Sequence, residues 1–106
     1  MVYEIKETKK FSKLFKKLPR EVQAVFVKKL EEVRIRPLEV GDKIKVYDWF
    51  RELKYQDYRL YYLVYEKKVI VLLVSISDKK NQQEIIDSIL ENIKTLKEDI
   101  DSICKK

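Results

Sequence analysis

The 106-residue chain is 45% hydrophobic and 40% charged, with one Gly, two Pro, one Cys and no His. This composition suits one globular domain with a modest core rather than a disordered chain, and it excludes an internal disulfide, histidine-ligated metal sites and histidine acid–base catalysis. The formal charge of +6 is uneven, with eleven Lys/Arg against five Asp/Glu in residues 1–36 and four against six in residues 81–106; this favours a polyanionic partner (RNA, DNA or a ribosome) or an acidic protein, beside the plainer reading of a solubilising surface.

In chain order, "VYEIKET" places Val2, Tyr3 and Ile5 among polar residues and predicts a short strand. "KKFSKLFKKL" sets Phe11, Leu14, Phe15 and Leu18 at helical spacing with lysines on the other side. Pro19 closes that helix and suits the first position of the next. The second helix carries Val22, Val25, Phe26, Leu30 and Val33 on one stripe and ends at Arg36-Pro37. The two helices therefore form an antiparallel hairpin.

Gly41, the only glycine, predicts a turn. Three β-rich runs follow, "KIKVYDWFRELKY", "YRLYYLVYE" and "KKVIVLLVSIS", joined by hairpin-length connections at 56–57 and 66–68. They predict an antiparallel three-strand meander. Asn81 with Glu84 resembles a capping box ahead of a last helix whose apolar positions Ile86, Ile89, Ile93, Leu96, Ile100 and Ile103 form a heptad stripe. The expected fold is a two-layer α+β domain: N-terminal strand, helical hairpin, meander and C-terminal helix, with one sheet face partly open. The longest apolar run, Val69 to Val74, is far short of a membrane span, and no cleavable signal pattern opens the chain. A cytoplasmic protein is expected.

Strand alternation gathers the chemistry. If Leu53 and Leu60 face the helices, Glu52, Lys54, Arg59 and Tyr61 line the other face, and Lys79 and Lys80 enter at the end of the neighbouring apolar strand. Fixed guanidinium and ammonium groups stabilise a pentavalent phosphate without a metal, and Tyr61 or Tyr65 offers a ring on which a base can stack. The plainer reading makes Arg59 a solvated strand residue, the tyrosines cross-strand packing and the lysines loop charges. Lys13, Lys16 and Lys17 on the hairpin form a solvated helix face or a polyanion-docking surface. The heptad stripe covers the sheet first; beyond about Leu96 it is expected to protrude and to meet a partner or a second copy.

The "FSKLFKKLPREVQAVFVKKLEEV" hairpin, the stretch "RELKYQDYRLYYLVYEKKVIVLLVSISDKKNQ" and the following helix resemble the RelE/ParE toxin superfamily over roughly residues 2–94. The most specific pieces are Glu52-Leu53-Lys54, Tyr58-Arg59-Leu60-Tyr61-Tyr62, and "KKNQ", which looks like an element of the HigB branch. The resemblance implies a RelE-like toxin domain over residues 1–95, with a helical extension over 96–106. It implies the toxin of a type II toxin–antitoxin pair, a metal-independent, cofactor-free endoribonuclease that cuts mRNA on the ribosome through attack of a 2′-hydroxyl. Arg59 falls on the family's phosphate-binding arginine, Lys54 and Lys79 fall on neighbouring basic positions with Lys80 beside them, and Glu52 is the candidate base.

The implied partners are a small, acidic, partly disordered antitoxin, contacting Ile93, Leu96, Ile100 and Ile103, and the ribosome with its mRNA. A homodimer through the last helix is a further possibility. The histidine or terminal tyrosine that serves some members as general acid has no counterpart here. Two other readings stand: a non-enzymatic ParE-like gyrase inhibitor, and a catalytically degenerate member that only binds an antitoxin.

Overall fold

The computed structural model describes residues 2–93. The expectations placed on Leu96, Ile100, Ile103 and the boundary at residue 95 lie outside them. The chain forms β1 (Glu4–Glu7), α1 (Lys9–Lys16), α2 (Arg20–Ile35), a short α3 (Pro37–Val40), β2 (Asp42–Ile44), β3 (Tyr47–Tyr55), β4 (Tyr58–Tyr65), β5 (Ile70–Asp78) and α4 (Gln82–Glu91). The five strands make one mixed sheet in the order β1-β5-β4-β3-β2, with β1 parallel to β5 and the other pairs antiparallel.

Local chemistry sets the hairpin. The Thr8 hydroxyl accepts from the Phe11 amide at 3.1 Å and caps α1. At the other end no glycine ends the helix. Instead the Leu18 amide donates to the Phe15 carbonyl at 3.1 Å, and Gln23 on α2 donates its side-chain amide to that carbonyl (3.0 Å) and to that of Leu18 (2.9 Å), tying the end of α1 to α2. Pro19 is the N-cap residue of α2 rather than its first helical residue. Phe11, Val22, Phe26 and Val33 are buried against Leu53, Leu60, Tyr62, Val64, Val71 and Leu73. Burying each of the two phenylalanines contributes about 1.5–3 kcal/mol.

Two features differ from expectation. The first β run is two strands: Lys45, at φ 54°, turns the chain between β2 and β3 with neither glycine nor proline. Gly41 follows α3 in an extended conformation, and space rather than φ requires it there. A Cβ at this position would lie 2.6 Å from the Tyr62 hydroxyl and 2.9 Å from the Glu52 carbonyl oxygen. As expected, the second sheet face is only partly covered, by α4. Ile86 and Ile89 are buried with Phe50, Tyr61, Leu63, Ile70, Leu72 and Val74. β5 is consequently covered on both faces and buried from Ile70 to Ser77, which accounts for its unbroken apolar run. Among the described residues no helix is long and apolar enough to cross a membrane.

Candidate active site

The two-residue connection Gln56-Asp57 fixes the register of β3 on β4. Lys54 pairs with Arg59, Leu53 with Leu60 and Glu52 with Tyr61. Lys54 and Arg59 are thus direct neighbours beside the turn, on the face that α4 only partly covers. On the next strand, the register slips between Tyr61 and Tyr62: Tyr61 pairs with Ser75, but Tyr62 with Leu73. The extra residue, Val74, forms a bulge that carries Ser75 and Ser77 onto the face of Tyr61 and Arg59. Ser77 lies directly across from Arg59.

Arg59 is 9% exposed. Its Nη1 donates to the carbonyls of Gln56 and Tyr58, each at 2.9 Å, which fixes the guanidinium against the β3–β4 turn. Its Nε is buried and has no hydrogen-bond partner. Its Nη2 makes no hydrogen bond among the described residues and is not among the buried atoms, so the fixed cation keeps a donor for an incoming anion. Glu52 is buried at 7% exposure; it accepts from the Gln82 side-chain amide at 2.8 Å and lies 3.6 Å from the Lys54 ammonium. Lys54 reaches Asp42 as well, at 3.6 Å, and is half exposed.

Beyond β5, the Asp78 carboxylate accepts from the Asn81 amide at 2.9 Å, and this turn holds Lys79 and Lys80 exposed at the sheet's edge. Neither lysine makes an ion pair among the described residues. Asn81 is the N-cap residue of α4, but its side chain makes no cap bond, so the expected capping box does not form. The structure therefore brings Glu52, Lys54 and Arg59 together, with Lys79 and Lys80 following β5, the strand paired with that of Arg59.

The expected role of Tyr61 needs correction. The residue is 0% exposed beneath α4, so no base can stack on its ring. Its hydroxyl lies 2.7 Å from that of Ser77. Burial pushes the phenol up to about 12, with the Ser77 hydrogen bond and the charge of Arg59 opposing and the charges of Glu52 and Asp78 reinforcing. Tyr65 also falls away from Arg59. Six residues along the same strand is about 20 Å, and there Tyr65 lines an apolar cleft of about 640 Å³ with Trp49, Leu63 and Ile93. Lys13 and Lys16 on α1 and Lys17 just after it are exposed, and the apolar side of α1 packs on the opposite sheet face, so they do not share Arg59's surface. Ile93 is half-buried against the α4-side core.

Ser77 and Gln82 belong to this constellation, although strand alternation and the apolar run did not mark them. The bulge that turns Ser77 inward has no glycine or proline to announce it. Gln82 gains its place only when α4 folds back over the sheet.

No family sequence model matches the chain, and no curated protein matches it by sequence. Solved structures do. A free-state mutant of the E. coli toxin RelE is 28% identical, with a TM-score of 0.75 over 88% of this chain and 99% of that one. RelE in the intact E. coli RelBE toxin–antitoxin complex is 28% identical, with a TM-score of 0.66 over 72% of this chain and 95% of that one. The archaeal RelE–RelB complex from Pyrococcus horikoshii OT3 supplies a chain 20% identical, with a TM-score of 0.63 over 74% and 97%, a likeness of fold. Element order, sheet topology and the likeness to the E. coli toxin agree: the chain belongs to the RelE/ParE toxin superfamily.

Proposed function

We propose that the chain is the toxin of a type II toxin–antitoxin pair and acts as a ribosome-dependent mRNA endoribonuclease. Its structural neighbours include toxins solved with their antitoxins, which supports a cognate antitoxin here. The observation that carries the nuclease reading is Arg59, a nearly buried guanidinium fixed through Nη1 by two carbonyls with its Nη2 left unbonded, beside Lys54 and at the edge where Lys79 and Lys80 emerge. A scissile phosphate would take the unused donors of Arg59, and the lysines would stabilise the extra charge of the pentavalent state.

The 2′-oxygen forms a bond to phosphorus as the P–O5′ bond breaks, leaving a 2′,3′-cyclic phosphate and a 5′-hydroxyl. Glu52 takes the proton of the 2′-hydroxyl, and the departing 5′-oxygen gains one from water or a neighbouring ammonium. The ribosome contributes by holding the messenger in line for attack. The basic α1 surface, on the far side of the sheet, is assigned to docking on ribosomal RNA. The "KKNQ" segment favours placement near the HigB branch.

The test maps transcript ends by primer extension in a translating extract. Wild-type protein is expected to create new ends within codons only when ribosomes are engaged, and Arg59→Ala to remove them without loss of folding. Intact transcripts with wild-type protein would overturn the reading, and lost supercoiling in the same cells would favour gyrase as the target.

A further inference from the structure

We propose that Ser77 is a phosphate-contact residue of this site, its hydroxyl proton turned toward the substrate by Tyr61. The inference rests on the endoribonuclease reading and adds a residue to it.

The geometry starts with Tyr61, whose ring is 0% exposed. Among the described residues its hydroxyl has one hydrogen-bond partner, the Ser77 hydroxyl at 2.7 Å. A buried phenol O–H left without an acceptor is costly, so Tyr61 donates and Ser77 accepts. Each hydroxyl has one proton. With its oxygen occupied by Tyr61, Ser77 has its own proton free to donate elsewhere.

Ser77 is 9% exposed and lies directly opposite Arg59 in the β4–β5 register. Its side chain therefore stands on the same sheet face as that of Arg59. Glu52 lies directly across from Tyr61 on β3, and Arg59 directly across from Ser77, so the pair stands beside two of the site's charged residues. A non-bridging phosphate oxygen held by Arg59 is the acceptor this arrangement suits. Ser77 would donate to it, and Tyr61 would be a positioning residue that never touches RNA. The bulge at Val74 is what makes this possible, because it carries Ser77 onto the Arg59 face.

The test measures single-turnover cleavage in the translating extract over a range of toxin concentrations. The proteins compared are wild type, Ser77→Ala, Ser77→Thr, Tyr61→Phe, the double variant combining Ser77→Ala with Tyr61→Phe, and Arg59→Ala. Melting curves are recorded in parallel. Ser77→Ala is expected to lower the saturating rate about 10²-fold, the scale of one lost oxyanion donor, with the half-saturating concentration unchanged. Ser77→Thr restores most of the rate because it restores the hydroxyl. Tyr61→Phe lowers the rate severalfold alone and adds nothing when Ser77→Ala is already present.

Wild-type cleavage by Ser77→Ala, or equal losses in Ser77→Ala and Ser77→Thr, overturns the proposal. So does a Tyr61→Phe loss that persists in full on top of Ser77→Ala. If Arg59→Ala is inactive while Ser77→Ala cuts fully, this inference fails and the nuclease reading stands. If wild type itself does not cut, both fall.

Discussion

The side-chain amide of Gln82, the first residue of α4, donates to the buried carboxylate of Glu52 at 2.8 Å. This bond ties the helix covering the sheet to the acidic member of the candidate site. It also occupies one carboxylate oxygen, while the other faces the Lys54 ammonium at 3.6 Å. Glu52 thus has two opposed effects: it cancels positive charge where RNA would bind, and it offers a base where a 2′-hydroxyl would ionise.

Those effects separate in Glu52→Gln. Binding of a non-cleavable, 2′-O-methylated messenger on ribosomes should tighten, because one negative charge leaves the phosphate-binding face. Cleavage should fall by about 10²-fold or more, the scale of general-base catalysis. Direct binding and single-turnover rates, measured together, check both. An undiminished rate would remove Glu52 from the chemistry and leave it as a modulator of charge.

Gly41 and Tyr62 form a second close pair, in which the Gly41 amide donates to the Tyr62 hydroxyl and that hydroxyl donates to the Pro37 carbonyl at 2.8 Å. Gly41→Ala should destabilise by about 1–3 kcal/mol, the usual cost of overpacking. Tyr62→Phe should cost a similar amount, because it leaves a buried amide and carbonyl unpaired. The double variant should lose less than the sum, since removing the hydroxyl removes the nearest clash. Urea unfolding of the three variants tests this, and strict additivity would refute it.

What the sequence made legible follows from short-range rules. The Lys54–Arg59 pairing is fixed once Gln56-Asp57 is read as a two-residue connection, and the helical hairpin is visible in the spacing of Phe11, Leu14, Phe15 and Leu18. Three features depend on tertiary contacts or on backbone choices without a residue signature. Tyr61 lies on the predicted face, but α4 closes over it. Ser77 faces Arg59 through a bulge built from Leu73, Val74 and Ser75, none of which marks a bulge. The β2–β3 turn uses Lys45 at positive φ where glycine or asparagine would have announced it.

Val69 makes the same point at the start of β5, at φ 56° and ψ 46°. A β-branched residue is a poor occupant of the left-handed region. Val69→Asn should therefore stabilise the fold by about 1 kcal/mol, since asparagine tolerates this conformation and the valine conformational cost is about 1–2 kcal/mol. A thermal midpoint raised by several degrees, with cleavage unchanged, is the expected result. A lowered midpoint would mean that the half-buried valine side chain contributes more through packing than its backbone costs.

The Tyr61 phenol sets a final, pH-dependent expectation. Its folded pKa is pushed up to about 12, above the ordinary 10.0, chiefly by burial. A raised folded value means that the folded state keeps a proton the unfolded chain releases. The stabilisation is fully present below pH 10 and is lost as pH rises from 10 through 12. Two pH units correspond to a loss on the order of 2–3 kcal/mol. Tyr61→Phe has no such proton to hold, so its stability should fall less steeply across that window. Urea midpoints for the two proteins at pH 9, 10, 11 and 12 measure the difference directly. Parallel curves would show that the Tyr61 hydroxyl ionises as easily in the folded protein as in the unfolded one, and hence that water reaches it through the Ser77 side of the site.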